Sequence, residues 1–304
     1  MKIGLLDIDG HNFPNLALMK IYAYHKSMGD DIEFASPLFG SYDIIYKSKV
    51  FTFTSDDNSC YKADEIIKGG TGYDRSIILD HDDIDYTCGY RLYNCEHAYG
   101  FLTRGCPNKC SWCIVPEKEG NIKAYADIGS FIGSYKTAVL MDNNVLASDH
   151  GIKQIEKIID MKIKVDFNQG LDARLIDDSM AKLLSRVKWL KPLRLACDSQ
   201  AMKNPVEKAV SLLRKYNCTP KNYFVYTLIK DVNESVDRIM FLKSLKVDPF
   251  GQPFRDFNNN VDPTKEQKQV ARWVNHKAIF KTVDFNEYRS ATGRCAKDLS
   301  GYCI

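Results

Sequence analysis

Residues 99–257 alternate between short apolar stretches and amphipathic helical stretches, and this alternation constrains the fold more than any other feature of the sequence. Strands separated by helices pair in parallel, and right-handed crossovers curl the resulting sheet. Five or six such units fall short of the eight in a closed barrel. The sequence therefore predicts an α/β fold with a partial (β/α)6 TIM-like barrel over residues 99–257. The predicted strands are Tyr99–Thr103, Thr137–Met141, Lys164–Phe167, Leu193–Cys197, Asn222–Leu228 and the proline-interrupted Val247–Phe254. The helices after the third, fourth and fifth strands are predicted to begin at Asp177, Asn204 and Asn233. The predicted apolar helix faces include Ile152, Ile155 and Ile159 after the second strand, and Val206, Val210 and Leu213 after the fourth.

The carboxyl end of each of the first five predicted strands carries a polar residue. Active sites of β/α barrels lie at this end of the strands, so the polar residues predict a functional site on one rim. Aspartate, asparagine and glycine also favour turns. The alternative is therefore that the residues at the strand ends only form turns. The five residues are Arg104, Asp142, Gln169, Asp198 and Thr227.

The segment Thr103–Gly120 holds Cys106, Cys110 and Cys113 in C-x3-C-x2-C spacing. Thiolates are the preferred ligands of iron–sulfur clusters and also bind zinc. A 4Fe-4S cluster normally takes four cysteines, so a set of three leaves one iron open. Structural zinc sites use C-x2-C pairs with further ligands nearby, and no histidine lies within this segment. The spacing predicts a 4Fe-4S cluster, with a three-cysteine zinc site or three unrelated buried thiols as alternatives.

Through these three cysteines, and through Trp112 directly before the last of them, the chain resembles the radical S-adenosylmethionine (SAM) superfamily. The resemblance implies that SAM binds the open iron. It also implies that the reduced cluster cleaves SAM to a 5′-deoxyadenosyl radical, which abstracts hydrogen from a substrate. A flavodoxin or ferredoxin-type protein is the implied electron donor. The sequence does not choose between a nucleic acid, a peptide and a small metabolite as the substrate.

The same resemblance implies a set of SAM contacts in the first half of the barrel. Trp112 is expected near the adenine. The segment Asp142-Asn143-Asn144 stands where family members have a Gly-Gly-Glu-type segment that binds the SAM amino group, although its glycines are missing. Asp142 and Asn144 are therefore predicted SAM contacts.

Further SAM contacts are expected on the next two strands. Gln169 and Asp198 stand at strand ends where family members touch the ribose or the carboxylate of SAM. Arg174 is predicted either to reach the SAM carboxylate or the substrate, or to form a surface ion pair with Asp172 or Asp177.

Residues 1–85 are predicted to form a small doubly wound α/β domain, because strand patterns alternate there with helical ones. The predicted strands include Lys49–Thr54 and Ile77–Leu79. The domain is similar to cobalamin-binding Rossmann-like domains, in which a D-x-H-x-x-G pattern supplies the histidine that ligates cobalt. Asp9–Pro14 matches it partly, with His11 as the histidine and proline in place of the glycine. Two interpretations remain: the domain binds cobalamin, or it has the same fold and binds none. The second interpretation is preferred. Gly69-Gly70 fits the glycine pair that passes the nucleotide tail.

The remaining segments are a connector, residues 86–98, and a C-terminal helical extension, residues 258–304. Five cysteines lie outside both the triplet and the predicted barrel, and a second cluster would need some of their thiols. The favoured interpretation is that they are ordinary thiols without a metal. They are Cys60, Cys88, Cys95, Cys295 and Cys303.

Composition narrows the function only slightly. The 42 basic and 39 acidic residues give a net charge of +3, which neither requires nor excludes nucleic acid. Ten cysteines are too sparse for a disulfide scaffold, and no signal peptide or membrane span is expected, so a cytoplasmic protein is predicted. The alternatives to an unassigned radical SAM enzyme are a methyl- or methylthiotransferase on RNA or protein, and a non-catalytic iron–sulfur or zinc module that senses redox state or binds a partner.

Overall fold

The computed structural model describes residues 1–79, 84–257, 259 and 261–288. These residues form thirteen β-strands and nine α-helices, and the strands within each larger sheet are parallel. The protein is therefore a mixed α/β protein, as the sequence predicts. The N-terminal elements are β1 (Lys2–Asp7), α1 (Leu16–Ser27), β2 (Asp31–Phe34), β3 (Ser41–Ser48) and β4 (Lys62–Gly69).

The elements that follow begin at residue 98 and alternate between strands and helices. Their bounds are β5 (Ala98–Gly100), β6 (Thr103–Arg104), α2 (Val115–Lys118), β7 (Lys123–Ala124), α3 (Ile128–Ile132), β8 (Thr137–Leu140), α4 (Asp149–Asp160), β9 (Lys164–Phe167), α5 (Asp178–Leu184), β10 (Lys188–Trp189), β11 (Arg194–Ala196), α6 (Lys203–Lys215), β12 (Phe224–Ile229), α7 (Val232–Ser244), β13 (Asp248–Pro253), α8 (Lys265–Asn275) and α9 (Lys277–Thr282).

The N-terminal strands form a four-stranded parallel sheet in the order β2-β1-β3-β4. Helix α1 connects β1 to β2, and the Asn15 side chain accepts the backbone N–H groups of Ala17 and Leu18 to cap it. The connections from β2 to β3 and from β3 to β4 contain no helix. The prediction of a doubly wound domain is therefore wrong in this respect, because helices do not alternate with all of its strands.

Two strands predicted in this region do not form. Residues 49–54 lie in the connection after β3, where the carboxylate of Asp9 accepts a hydrogen bond from the Thr54 hydroxyl at 2.6 Å. Residues 77–79 also lie outside the strands. Short apolar runs have the composition of strands, but no neighbouring strand edge pairs with the backbone here.

Nine strands, β5 to β13, make up the second part of the fold, and seven of them form two parallel sheets. One sheet has the order β10-β9-β8-β5, and a second has the order β11-β12-β13; every pairing in both is parallel. A parallel bridge between Leu171 and Leu195 joins the two, with the Leu171 N–H 2.8 Å from the Arg194 carbonyl oxygen. The chain that pairs with β10 as β9 therefore pairs with β11 a few residues later, at Leu171. The antiparallel pair β6 and β7 stands apart from these sheets.

A large apolar core fills the space between these sheets and their helices. Helix α4 buries Ile155 and Ile158, and helix α6 buries Val206, Val210 and Leu213 against the same core. Spacings of three and four residues place these side chains on one helix face, as the sequence predicts.

The first turns of three helices differ in how well they follow the sequence. Asp177 caps α5 as predicted, since its carboxylate accepts the Met180 N–H. Asn204 and Asn233 were predicted to begin α6 and α7, and both predictions are wrong because each residue lies inside its helix. Asp231 caps α7 instead, where its carboxylate accepts the Glu234 N–H.

The described part of the C-terminal extension consists of α8 and α9. Thr264 and Gln267 form a capping box at the start of α8, and the fully buried Trp273 donates its indole N–H to the Val283 carbonyl at 2.9 Å. Cys295 and Cys303 lie outside the described residues. Among the residues the structure describes, no helix combines the length and the apolar character needed to cross a membrane.

Candidate metal centre

The three-cysteine segment is a closed loop between β6 and β7. Thr103 pairs with Ala124 and Arg104 with Lys123, so the two ends of the loop meet in a short antiparallel ladder. Gly105 begins the loop with a φ of +81°, and a Cβ there would lie 2.3 Å from the Asn121 carbonyl oxygen. Only glycine combines this conformation with so close an approach of two backbone segments.

Glu119 braces the closed end of this loop. One carboxylate oxygen accepts the Arg104 guanidinium at 2.8 Å, and the other accepts the Gly105 N–H at 2.8 Å and the Asn143 side-chain amide at 2.9 Å. The Arg104 guanidinium also lies 3.9 Å from the centre of the Phe101 ring. Arg104, predicted at the site rim, therefore helps to hold the loop in place.

The three thiols lie within electrostatic range of one another. Burial raises the pKa of the Cys110 thiol, and the neighbouring Cys113 and Cys106 raise it further, whereas Arg174 opposes the rise. The Cys113 N–H donates to the Cys110 carbonyl at 3.0 Å, so the last four residues of the motif form a turn. Cys113 is exposed, and the other two are partly buried. The loop thus holds three cysteines whose thiols are near enough to affect one another's pKa and are at least partly accessible.

Across the described residues, no three Cys, His, Asp or Glu side chains converge closely enough to hold a single metal ion. A site for one zinc ion would bring its ligands into a single coordination shell. A cubane cluster places its thiolates on separate irons, and the sulfurs then stand further apart than the ligands of one ion. The three cysteines of the loop are the donor set that a 4Fe-4S cluster with one open iron would take.

Asp142 lies behind the loop and its carboxylate is fully engaged. One oxygen accepts the Thr103 N–H at 2.6 Å, the Thr103 hydroxyl at 2.7 Å and the Leu102 N–H at 3.0 Å. The residue is 2% exposed, and this burial raises its pKa to about 6. Through these contacts Asp142 fixes the strand that leads into the cysteine loop.

The two residues after Asp142 hold the same loop at other points. Asn143 reaches Glu119, as described above, and Asn144 reaches the first cysteine. The Asn144 amide nitrogen lies 3.6 Å from Cys106 Sγ and 3.1 Å from an Asp172 carboxylate oxygen. Its amide oxygen is buried and has no hydrogen-bond partner. Such an orphaned acceptor costs roughly 1–3 kcal/mol, so this position beside Cys106 fits a ligand that donates a hydrogen bond.

Asp172 connects this region to Arg174. The Arg174 guanidinium binds the Asp172 carboxylate through two parallel contacts of 2.8 and 2.7 Å. The Asn108 amide, which lies between the first two cysteines of the motif, donates to the same carboxylate at 3.1 Å. The predicted ion pair of Arg174 with Asp172 is therefore present, and it stands beside the cysteine loop.

The other predicted rim residues differ in their surroundings. Asp198 is largely buried, accepts the Leu228 N–H at 2.9 Å, and has its pKa raised by burial. Gln169 is exposed beside Gly170, which has a φ of +89°. Thr227 lies on the same face of β12 as the buried Val225 and Ile229 and is itself fully buried. Because side chains alternate between the two faces of a strand, Thr227 points into the helix-covered core and is not on the site face.

Trp112 lines a small cavity next to the third cysteine. The cavity has a volume of about 40 Å³ and opens between the cysteine loop and the segment that follows β13. Its lining residues are Ser111, Trp112, Cys113, Ile114, Glu117, Phe254, Arg255, Asp256 and Phe257. The structure thus places Trp112 against the end of the last strand.

The residues that suggested cobalamin have other contacts in the N-terminal sheet. The His11 ring stacks on Phe34 with ring centres 4.0 Å apart, and Asp9 is hydrogen bonded to the connection after β3. Gly70 has a φ of +96°, and a Cβ there would lie 2.4 Å from the Lys49 carbonyl oxygen. A close backbone approach therefore requires this glycine.

Three contributions to the centre were not predicted from the sequence. They are the contacts of Asn108, those of Glu119, and those that Asp172 makes in addition to its pair with Arg174. Each of these residues lies in a loop and makes its contacts with residues 14–64 positions away in sequence. Asp172 had one local indication, because an Asp two residues before an Arg at a strand end suits a capped turn.

Comparisons with known proteins show limited likeness. No protein-family model and no curated protein sequence matches the chain. Solved structures that resemble it include the crystal structure of Streptococcus suis SuiB, with 10% identity and a TM-score of 0.42 over 69% of this chain and 55% of that one. SuiB bound to precursor peptide SuiA gives 10% identity and a TM-score of 0.42 over 74% and 54%. The chain thus spans about half the length of either structure.

Proposed function

We propose that the protein is a radical SAM enzyme whose 4Fe-4S cluster is held by Cys106, Cys110 and Cys113. The observation that carries the proposal is the closed loop that holds these three thiols within electrostatic range of one another, together with the orphaned Asn144 acceptor beside the first of them. When bound and reduced, the cluster supplies the electron that cleaves SAM into methionine and a 5′-deoxyadenosyl radical.

The chain's own contribution is to hold and orient SAM. Asn144 offers its buried amide oxygen to the SAM amino group, which is a hydrogen-bond donor. Trp112 provides an aromatic surface for the adenine, and its position beside Cys113 at a small cavity supports this role. Gln169, Asp198 and Arg174 surround the ribose and the carboxylate. A site that holds the reacting C–H close to C5′ and excludes water speeds and protects such chemistry.

The proposed architecture follows from the strand pairings. Residues 99–257 form a partial (β/α)6 barrel, and the continuous parallel order β5-β8-β9-β11-β12-β13 supports it. Residues 1–85 form an N-terminal unit built on the sheet β2-β1-β3-β4, residues 86–98 connect it to the barrel, and residues 258–304 are a C-terminal extension. The electron donor is a flavodoxin or a ferredoxin-type protein. The substrate is not identified.

The test is anaerobic reconstitution of the full-length protein with iron and sulfide, followed by reduction with dithionite in the presence of SAM. We expect about four irons per chain and the formation of 5′-deoxyadenosine and methionine. Cys110→Ala abolishes both. Cys60→Ala is the matched control, because Cys60 is an exposed thiol outside the loop, and it retains both.

The outcomes separate the alternatives. About eight irons per chain would point to a methylthiotransferase with a second cluster. Bound zinc, or a complete cluster that does not cleave SAM, would indicate a non-catalytic module. Either result would refute the proposal that the protein is a radical SAM enzyme. A Cys110→Ala variant that keeps its full iron content would refute the ligand assignment.

A further inference from the structure

Asp172 is the point at which three separate segments meet at the cysteine loop. It begins a short 3-10 turn after β9, and its side chain is only 9% exposed. Its carboxylate accepts Asn108 from the cysteine loop, Asn144 from the segment after β8, and Arg174 from its own turn. A buried carboxylate with three donors is a rigid anchor, because charge-assisted hydrogen bonds are about twice as strong as neutral ones.

This anchor decides which way the Asn144 amide points. With its NH2 group toward Asp172, the amide nitrogen donates both to that carboxylate and to Cys106 Sγ. The flipped orientation would turn the amide oxygen toward the negatively charged carboxylate, where it would be repelled. The amide orientation, and with it the N–H to sulfur contact, therefore depends on the charge of Asp172.

We infer that Asp172 is a positioning residue that holds the Asn144 amide as a hydrogen-bond donor to Cys106 Sγ and thereby tunes the cluster bound there. The inference rests on the proposed function, because it concerns the same cysteines. A hydrogen bond to a ligating sulfur withdraws negative charge from it and favours the reduced cluster. Loss of the Asp172 carboxylate releases the amide and makes the cluster harder to reduce.

The experiment measures the midpoint potential of the reconstituted cluster by redox titration followed by electron paramagnetic resonance. Asp172→Ala shifts the potential to a more negative value, and Asp172→Asn shifts it less, because one acceptor oxygen remains. Asp177→Ala is the matched control: Asp177 caps the nearby helix α5, but its contacts are with Ser179 and Met180. This control loses thermal stability with its helix cap and keeps the wild-type potential.

Asn144→Leu provides a second route to the same contact if Asp172→Ala folds poorly. It removes the donor while the anchor remains, and it shifts the potential in the same direction. In the double variant Asp172→Ala/Asn144→Leu the shift is no larger than in the single variants, because both remove one interaction.

Three results are decisive in different ways. An unchanged potential in Asp172→Ala or Asn144→Leu at full iron content overturns the inference and leaves the proposed function standing. An equal shift in the Asp177→Ala control also overturns the inference, since the effect would then follow stability alone. A wild-type protein that takes up no 4Fe-4S cluster overturns the proposed function itself.

Discussion

Replacement of Asp142 with asparagine tests the cost of keeping a buried charge behind the cysteine loop. Burial raises the pKa of this carboxyl from 3.8 to about 6. Between these values the folded protein holds a proton that the unfolded chain has lost, so the stability contribution is full below pH 4 and falls as pH rises through 6. A shift of about two pKa units corresponds to about 3 kcal/mol. The Asp142→Asn variant has no titratable carboxyl group at this position, so its stability lacks this dependence on pH.

The assay is urea denaturation of the full-length wild type and variant at intervals between pH 4 and pH 7.5. We expect the wild type to lose up to about 3 kcal/mol relative to Asp142→Asn across this range. The remaining titratable groups are shared, so their contributions cancel in the difference.

Asp142→Ala is the companion variant. It shows the same pH-dependent difference, plus a constant loss of about 3 kcal/mol or more, because the buried donors of Leu102 and Thr103 lose their acceptor. A difference between wild type and Asp142→Asn that stays constant from pH 4 to pH 7.5 would refute the argument, since the carboxyl would then titrate as an exposed one does.

Two further substitutions test the loop and the core. Gly105→Ala is expected to displace the loop, because its Cβ would meet the Asn121 carbonyl oxygen, and to lower the iron bound per chain after reconstitution. Arg194→Met is expected to cost roughly 3–5 kcal/mol in the free energy of unfolding, measured in urea. It leaves Asp166 buried without the guanidinium that contacts both of its oxygens at 2.6 and 2.7 Å.

Both substitutions have a matched control. Gly120 also has a positive φ in the same loop, but a Cβ there meets no atom within 4 Å, so Gly120→Ala should keep most of the iron. Equal iron loss in the two glycine variants would show that backbone conformation, and not the close approach, limits Gly105. Lys215→Met breaks an exposed pair with Asp178 and should leave the free energy of unfolding nearly unchanged. An equally small effect of Arg194→Met would contradict the role assigned to burial.

Helices and strands were predicted correctly from the sequence where one face of the element is buried. Lys164–Phe167 was predicted and found as β9, and the helix with Ile155 at its centre is α4. Lys49–Thr54 has the composition of a strand but lies in a connection, since strand formation needs a paired edge as well as a pattern. The caps of α6 and α7 were misplaced because several polar residues near a helix start can all accept its first N–H groups.

The sequence by itself determined the parallel α/β organisation and the group of three cysteines. Both depend on local spacing, since helix and strand periods and ligand intervals are written along the chain. Only the tertiary structure decided which polar residues face the cysteines. Asp142 supports a strand, Thr227 enters the core, and Asp172 gathers donors from three segments. These roles depend on which side of an element faces its neighbours and on contacts between residues distant in sequence, and no local pattern records either.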